Sequence, residues 1–567
     1  MSADEHLSDR SHHDLRRDAG TVAPTGAAPP YGAVIFDLDA VVADAAGMSG
    51  DGVGVSAGTV DLLRRLRAGA TPVALVTTGR NGEAVLNAAE LDGMFDVVVE
   101  TAAAALGMPG TLEPAMFLEA ARRVGVHPRR AAAVAGTVPG VTAAAAGGFK
   151  FVVGVDRVGH RAALEAAGAD AVVDDLSQLD LGLLHTDPWV LAYEGFDPAH
   201  EGHREALTTL GNGYAGTRGA APERTADRVH YPGTYLAGVY NRLTSTVAGR
   251  DVEDEHLVNA PNWLLLDLRI GDGPWWSTGG LHATSERREL DLRRGVLTRT
   301  AVLTDETGRR VSLAQRRIVS MQRPHLAALE TTLTADGWAG PVTVRSGIDA
   351  SVTNGNVAEY AALANRHLAH IEATQAAPDV LVVTAETSQS GVRVATVART
   401  TITGAVAQPP NGIADLGGGR FAQDFDIDAR DGLSIVIDKT VAITTSRDTG
   451  MASPVLGALD QLADAPDGFV GLLAGHTAAW ARLWDHFATT LDADRDVQLV
   501  VNLHLFHLLQ AVSPHTAELD AGVTARGLHG EGYRGHVFWD ELFVLPLIGA
   551  HLPAVTRALL DYRWRRL

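Results

Sequence analysis

The hydrophobic period of this chain changes once, near residue 188, and that change limits what the chain can fold into. Before it, short apolar runs recur: AVIF (33–36), PVALVTT (72–78), AAAVAG (131–136), KFVVGV (150–155) and DAVVDD (170–175). Between them lie stretches of helical period such as VDLLRRLRAG and AMFLEAARRVGV. Short buried strands alternating with helices predict an α/β doubly wound parallel sheet over residues 31–185. Past LSQLDLGLLHTDP (176–188), strand-like segments joined by short turns take over. They include TRTAVLTDETGRRVSLAQRRIV, VTVRSGIDASVT, DVLVVTAETSQSGVRVATVART and LSIVIDKTVAITTS. This pattern predicts a large antiparallel β-sandwich over 189–450, with DETG as one hairpin turn.

Helical period returns after that. Asp467 is placed to cap a helix, and Phe469, Leu472, Leu473, His476, Trp480, Leu483, Trp484 and Phe487 repeat at three- and four-residue spacing. Such a stripe packs one face of a helix, here a linker over 451–495. DVQLVVNLHLFHLLQAV (496–512) is a second, more apolar helix, in which His504 and His507 read as packing groups. Residues 1–30 are polar and then Ala/Pro/Gly-rich, the composition of a disordered tail. His12 and His13 have no carboxylate at a defined spacing, so they are not read as a metal pair.

Composition excludes several functions. The 567 residues carry 47 Lys plus Arg against 68 Asp plus Glu, a formal charge of −21. Nucleic acid and anionic membrane both demand a basic face, so neither is an expected partner. There is no cysteine, which removes disulfides, thiolate nucleophiles and Cys-ligated metals. Residues 1–20 have no apolar signal core, and no run of about 18 apolar residues occurs. The expectation is a cytoplasmic protein whose partners are small molecules.

Two stretches carry chemistry. Asp37, Asp39 and Thr77 fall at the carboxyl ends of predicted parallel strands, where ligands to such sheets bind. The second stretch is RGLHGEGYRGHVFWDELF (526–543), dense in groups that grip a sugar. A neutral polyol is held by aromatic faces and by carboxylates or guanidinium groups, and Trp539 beside Asp540 is that combination. The bland alternative makes Phe538, Trp539, Leu542 and Phe543 a helix core and Asp540 its N-cap. Four glycines in LGNGYAGTRG (210–219) imply tight turns with positive φ, and Arg218 beside them either touches ligand or is a surface residue.

FDLDAVVAD resembles the first motif of the haloacid dehalogenase-like phosphotransferases, near the beta-phosphoglucomutase branch. The resemblance implies Asp37 as nucleophile, Asp39 as acid/base and Thr77 as a phosphoryl ligand. It also implies Mg²⁺, held by Asp37 and Asp39, if the site is active. The family's Lys before a Pro is replaced by Met108, its acidic pair by Ala135-Gly136, and the stretch from Asp44 to Thr71 is too short for the helical cap. A degenerate, non-catalytic domain is therefore expected, with phosphatase or phosphoglucomutase activity as the alternative.

From Trp189 onward the chain resembles glycoside hydrolase family 65, the group of maltose, trehalose, kojibiose and nigerose phosphorylases and related hydrolases. The motifs are LGNGYAGTRG, YPGTYLAGVYN, LVNAPNWL, LDLRRGVLTR and ARGLHGEGYRGHVFWDELF, in order. The resemblance implies a β-sandwich, a linker and an (α/α)6 barrel whose first loops line the glucose subsite. Trp539 and Asp540 would then hold the glucose ring, with Arg526, Glu531, Tyr533, Arg534 and His536 shaping the pocket. The family commonly reads FWDTE where this chain reads FWDEL, which leaves open whether Asp540 or Glu541 faces the sugar.

The implied reaction is inverting phosphorolysis of an α-glucosyl disaccharide, or its hydrolysis, with inorganic phosphate as co-substrate and no cofactor. Members often form dimers. The family's general acid lies in a segment resembling PDEY, which this sequence lacks. About 70 residues follow Asp496, whereas twelve helices need well over ~200. The expectation is thus an incomplete barrel over 496–567, an inactive chain, and a non-catalytic sugar-binding module as a further alternative.

Overall fold

The computed structural model describes residues 33–43, 54–68, 71–78, 82–89, 91, 93–100, 112–126, 128, 131–179, 187–408, 410, 412–491, 493 and 495–567. The expected tail over 1–30, with His12 and His13, and Met108 lie outside the described residues. The chain divides into two compact units. One runs to Val190 and includes Thr490–Val500; the other comprises Leu191–Thr489 and Val501–Leu567.

The first unit is a parallel sheet of six strands: β1 (Ala33–Asp37), β2 (Val73–Thr77), β3 (Val97–Glu100), β4 (Ala131–Ala135), β5 (Phe151–Val155) and β6 (Ala171–Val173). Their order is β3-β2-β1-β4-β5-β6, the doubly wound arrangement expected. β1, β2 and β4 are buried along their whole length, which is why they read as unbroken apolar runs. One apolar core covers each face: Phe36, Leu62, Leu63 and Leu75 on one, Ile35, Phe117, Ala133 and Val141 on the other. β3 leaves no clear trace in the sequence pattern. It is only VVVE, at the sheet edge, with one buried residue. Because β1 pairs in register with both β2 and β4, the strand ends bring Asp37, Thr77 and Gly136 side by side.

The second unit is built on antiparallel sheets. The largest has nine strands, ordered Leu368–Ala377, Val380–Thr387, Arg393–Thr403, Ser434–Thr445, Leu326–Asp336, Arg310–Val319, Val296–Thr304, His282–Asp291 and Val190–Glu194. A four-stranded sheet orders Leu266–Ile270, Gly340–Asp349, Arg420–Ala429 and Ala414–Gly417. Another orders Leu210–Gly211, Ala215–Thr217, Thr234–Val247 and Arg250–Ala260. DETG forms the expected hairpin turn, with Gly308 at φ 86°. At the edge of the largest sheet, Leu368–Ala377 slips register twice against Val380–Thr387, between Ala369 and Glu372 and between Gln375 and Ala377.

Polar groups tie these sheets together. The fully buried Lys439 donates to the carbonyls of Leu265 (2.9 Å) and Gly347 (2.6 Å), linking the nine-stranded sheet to a four-stranded one. Arg299, from LDLRRGVLTR, donates bidentately to Glu223 (2.8 and 3.0 Å) and to Glu286 (2.9 and 3.1 Å). All three lie deep in the unit, so each depends on the others for its charge balance.

The helices Pro454–Ala463 and Gly468–Phe487 then pack on the nine-stranded sheet, where Ala458, Leu462, Phe469 and Leu472 meet Ile318, Ala328 and Val382. The expected stripe is the buried face of Gly468–Phe487. His476 is a core group as read: Nδ1 accepts from the Met321 amide (3.0 Å) and Nε2 donates to the Gly295 carbonyl (3.1 Å). Asp467 occupies the N-cap position, but its side chain makes no capping bond. The carboxylate of Asp438 accepts from the Phe469 amide (2.6 Å) instead, because the strand below reaches the helix end first. His507 is a packing group whose Nε2 donates to the Leu207 carbonyl (3.0 Å).

Removing Arg299 leaves Glu223 and Glu286 with only longer ion pairs, to Arg224 (3.8 Å) and Arg288 (3.7 Å). Arg299→Met is expected to lower unfolding stability by ~3–5 kcal/mol. Denaturant titration of the two chains measures this, and coincident curves would contradict the role given to the ion cluster.

Candidate functional site

The loop 520–543 is fastened to the sandwich by one buried carboxylate. Glu531 is 2% exposed. It accepts hydrogen bonds from the hydroxyls of Tyr231 and Tyr235, the latter at 2.8 Å, and from the Asn356 amide (3.4 Å). Burial pushes its carboxyl above the usual range, and the two phenols offset part of that. Arg218 makes a second tie: it donates to the His529 carbonyl (2.7 Å) as well as to those of Tyr231 and Gly202. Arg218 is thus neither a ligand contact nor a surface residue but a buried clamp on three carbonyls. Of the glycines in LGNGYAGTRG, Gly213 alone has positive φ. Gly216 is required for a different reason, because a Cβ there would lie 2.3 Å from the Leu528 carbonyl oxygen. Close approach of the loop, rather than turn geometry, explains that glycine.

Past Glu531 the chain turns sharply. Tyr533 and Arg534 both take left-handed backbone angles, φ 56° and 57°. Consecutive non-glycine residues in this region cost on the order of 1–2 kcal/mol each, so the fastening must hold them. Arg534 pairs with Asp254 (2.9 Å) and lies over the Tyr360 ring (5.2 Å). The His536 Nε2 donates to the Glu255 carbonyl (2.7 Å), and Tyr240 donates to the Gly535 carbonyl (2.6 Å). Arg534 and His536 are therefore half-buried groups engaged with the sandwich.

The consequence is a shelf of open aromatic faces. Tyr533 stacks on Phe538 (centroids 5.3 Å apart), with the exposed Arg526 guanidinium over Tyr533 at 5.5 Å. Trp539 meets Phe543 edge-on at 5.7 Å. Phe538, Trp539, Leu542 and Phe543 are 44, 60, 69 and 72% exposed, so they are not a helix core. Asp540 begins the helix Glu541–His551 without a side-chain capping bond, and its half-buried carboxylate has no partner among the described residues. Glu541 differs. It is buried, accepts from Arg563 (2.6 Å), and lies 3.4 Å from the Val523 amide. Of the two acids in FWDEL, Asp540 is the one available to a ligand. Glu531 and Glu541, both expected to touch sugar, serve the scaffold, since their oxygens are already engaged. Tyr231, Tyr235, Asn356 and Asp254, which the sequence reading did not single out, position the shelf from remote strands and loops.

In the first unit, Asp37 ends β1 fully buried, and its Oδ1 accepts from the amides of Ala40 (2.7 Å) and Gly136 (2.9 Å). Burial pushes its carboxyl up to about 7. Asp39 is exposed on the following turn, and Thr77 is buried at the end of β2. Elsewhere, Glu201, Glu205 and His230 gather ligand-type atoms. These are engaged already, Glu201 by Arg288 (2.6 Å) and Glu205 by His230 (3.0 Å) and the Tyr231 amide (2.9 Å).

The Asp37 shift has a sign. Its folded-state value of about 7 exceeds the ordinary 3.8, so the native chain keeps a proton that the unfolded chain has released. The associated stability is present below about pH 4 and is lost as pH rises through about 7. Asp37→Asn, which stays neutral, is expected to gain roughly 1–4 kcal/mol relative to wild type across that window. Unfolding midpoints at several pH values measure the gain, and a pH-independent difference would contradict it.

Comparison with known proteins bears on both units. Residues 191–483 match the N-terminal domain of glycosyl hydrolase family 65, and residues 502–567 match its central catalytic domain. Residues 26–148 match the haloacid dehalogenase-like hydrolases. An uncharacterized glycosyl hydrolase of Mycobacterium tuberculosis is 45% identical over 392 residues, 68% of this chain and 29% of that protein. A trehalose 6-phosphate phosphorylase of Lactococcus lactis is 32% identical over 67% of this chain and 48% of its own length. A solved structure of a kojibiose phosphorylase-type protein from the human microbiome superposes with TM-score 0.57 at 19% identity, covering 67% of this chain and 49% of that one. The chain thus spans about half the length of the phosphorylases it matches, and less of the mycobacterial protein. Since the first match alone takes in more than half of the residues, this chain, with its antiparallel sandwich leading into helices that carry the aromatic shelf, belongs to glycosyl hydrolase family 65.

Proposed function

We propose that this chain provides the glucosyl-binding part of an enzyme that cleaves an α-glucosyl disaccharide by inverting phosphorolysis, with inorganic phosphate as the attacking group. The observation that carries the reading is the juxtaposition of exposed Trp539 with the unpartnered carboxylate of Asp540. An aromatic face takes the apolar face of a pyranose, and a carboxylate takes two adjacent hydroxyls. Arg526 adds a cation at the rim. The partners on this reading are small molecules, and the setting is the cytoplasm. Among the described residues no helix is long and apolar enough to cross a membrane.

Bond cleavage is a separate matter. Inversion needs a carboxylic acid over the leaving oxygen in addition to the groups that hold the ring. Within 526–543, Glu531 and Glu541 are committed to the scaffold and Asp540 is given to the sugar hydroxyls. Binding is therefore expected from this chain without turnover.

Glucose, trehalose, kojibiose, maltose and trehalose 6-phosphate serve as probes, the last because of the Lactococcus relative. Calorimetric titration is expected to show glucoside binding by the wild type, weakened at least about tenfold in Trp539→Ala, the loss of one stacked ring at ~1.4 kcal/mol. Asp540→Asn is expected to weaken binding as well, while Glu541→Gln destabilises the fold instead. Equal affinity in wild type and Trp539→Ala would remove the shelf from the site. Release of glucose 1-phosphate by the purified chain would refute the expected lack of turnover.

A further inference from the structure

The haloacid dehalogenase-like fold of the first unit implies a divalent cation at the carboxyl end of β1, and the donors present there among the described residues do not suit one. Mg²⁺ demands near-octahedral oxygen geometry and is usually held by one or two carboxylates whose oxygens are free to turn to it, with waters completing the shell. The Oδ1 atom of Asp37 is taken by the amides of Ala40 and Gly136, and Oδ2 lies 3.2 Å from the same Gly136 amide. No acid can stand at position 136. A Cβ built there would lie 2.4 Å from the Asp39 carbonyl oxygen and 2.5 Å from its carbon, both backbone atoms.

A different cation is already in place. At the exit of β5 the Asp156 carboxylate accepts from the amides of Val158 (3.2 Å), Gly159 (2.7 Å) and His160 (2.8 Å), which turns the chain back. That turn carries Arg157 to the β1 end. Its guanidinium donates to the carbonyls of Asp39 (2.9 Å), Ala40 (2.7 Å) and Val42 (2.7 Å), three oxygens of a single turn. Asp175, Asp37 and Asp39 all face it electrostatically. The planar fork of a guanidinium suits such a set of fixed acceptors, and its charge is permanent.

We propose that Arg157 is the resident cation of this strand end, pinning the turn 39–42 beside Asp37 and Asp39 in place of a divalent metal, so that the first unit is a metal-free module. It follows that the Asp39, Ala40 and Val42 carbonyl oxygens are already engaged by a guanidinium, and that Asp37, fully buried, is not presented as a nucleophile to phosphate esters. The fold of a phosphotransferase is kept while its metal chemistry is closed off from within.

The test uses the full chain and Mg²⁺ alone as probe. Calorimetric titration and thermal unfolding of the wild type are expected to show no saturable Mg²⁺ heat and no Mg²⁺-dependent rise in the first unit's midpoint. Arg157→Ala is expected to lower that midpoint by several degrees. Should that variant not fold, Arg157→Lys decides. It retains the charge but lacks the planar fork that spans these three fixed carbonyls, so a smaller fall is expected and an unchanged midpoint would overturn the pinning. Saturable Mg²⁺ binding by the wild type that Asp37→Asn abolishes would overturn the proposal. So would Mg²⁺-dependent release of phosphate from p-nitrophenyl phosphate, if lost in Asp37→Asn.

Discussion

A carboxylate carried into a protein interior costs several kcal/mol unless its oxygens find donors. Glu531 finds them in Tyr231 and Tyr235, one just before and one within a strand of the sandwich. The bond therefore works in two directions. It makes the acid tolerable inside, and it makes the loop inseparable from the sheet. The left-handed pair Tyr533 and Arg534 is held only because both sides of the turn are anchored, by Glu531 before it and by Tyr240 and Glu255 after it. With the turn fixed, Phe538 and Trp539 have nowhere inside to go, and their faces stay open.

Four carboxylates show how partners rather than residue type decide a role. Asp37 is satisfied by backbone amides, Glu531 by phenols and Glu541 by a guanidinium. Each has become architecture. Asp540 has no such partner, and it is the one beside exposed aromatic faces. The same logic reassigns Arg218, whose position in a glycine-rich motif suggests ligand contact but whose three hydrogen bonds go to carbonyls, with the buried Glu205 carboxylate 3.9 Å away.

Much of the architecture is legible in the residues, because burial leaves a periodic trace. The apolar runs of β1, β2 and β4 and the stripe from Phe469 to Phe487 appear where periodicity places them. β3 leaves too short a trace to register, with one buried residue at a sheet edge. Trp539 and Asp540 are also recognisable, since an aromatic beside an acid has a chemistry of its own. The roles of Glu531 and Glu541 are not, because their partners lie elsewhere in the chain: Tyr231, Asn356 and Arg563. Nothing local marks a carboxylate as spoken for. Asp467 fails in the same way, being displaced as a cap by Asp438 from a neighbouring strand.

The nine-stranded sheet raises a question of solubility at its Leu368–Ala377 edge. An unbroken edge offers a ladder of free amides and carbonyls on which a second chain can nucleate a fibre. Here the two register slips leave Glu372–Gln375 as the longest unbroken run against the neighbouring strand. His370, with φ 47°, kinks the backbone beside the first slip. The bulged edge thus shortens the stretch of regular ladder that a second chain could copy.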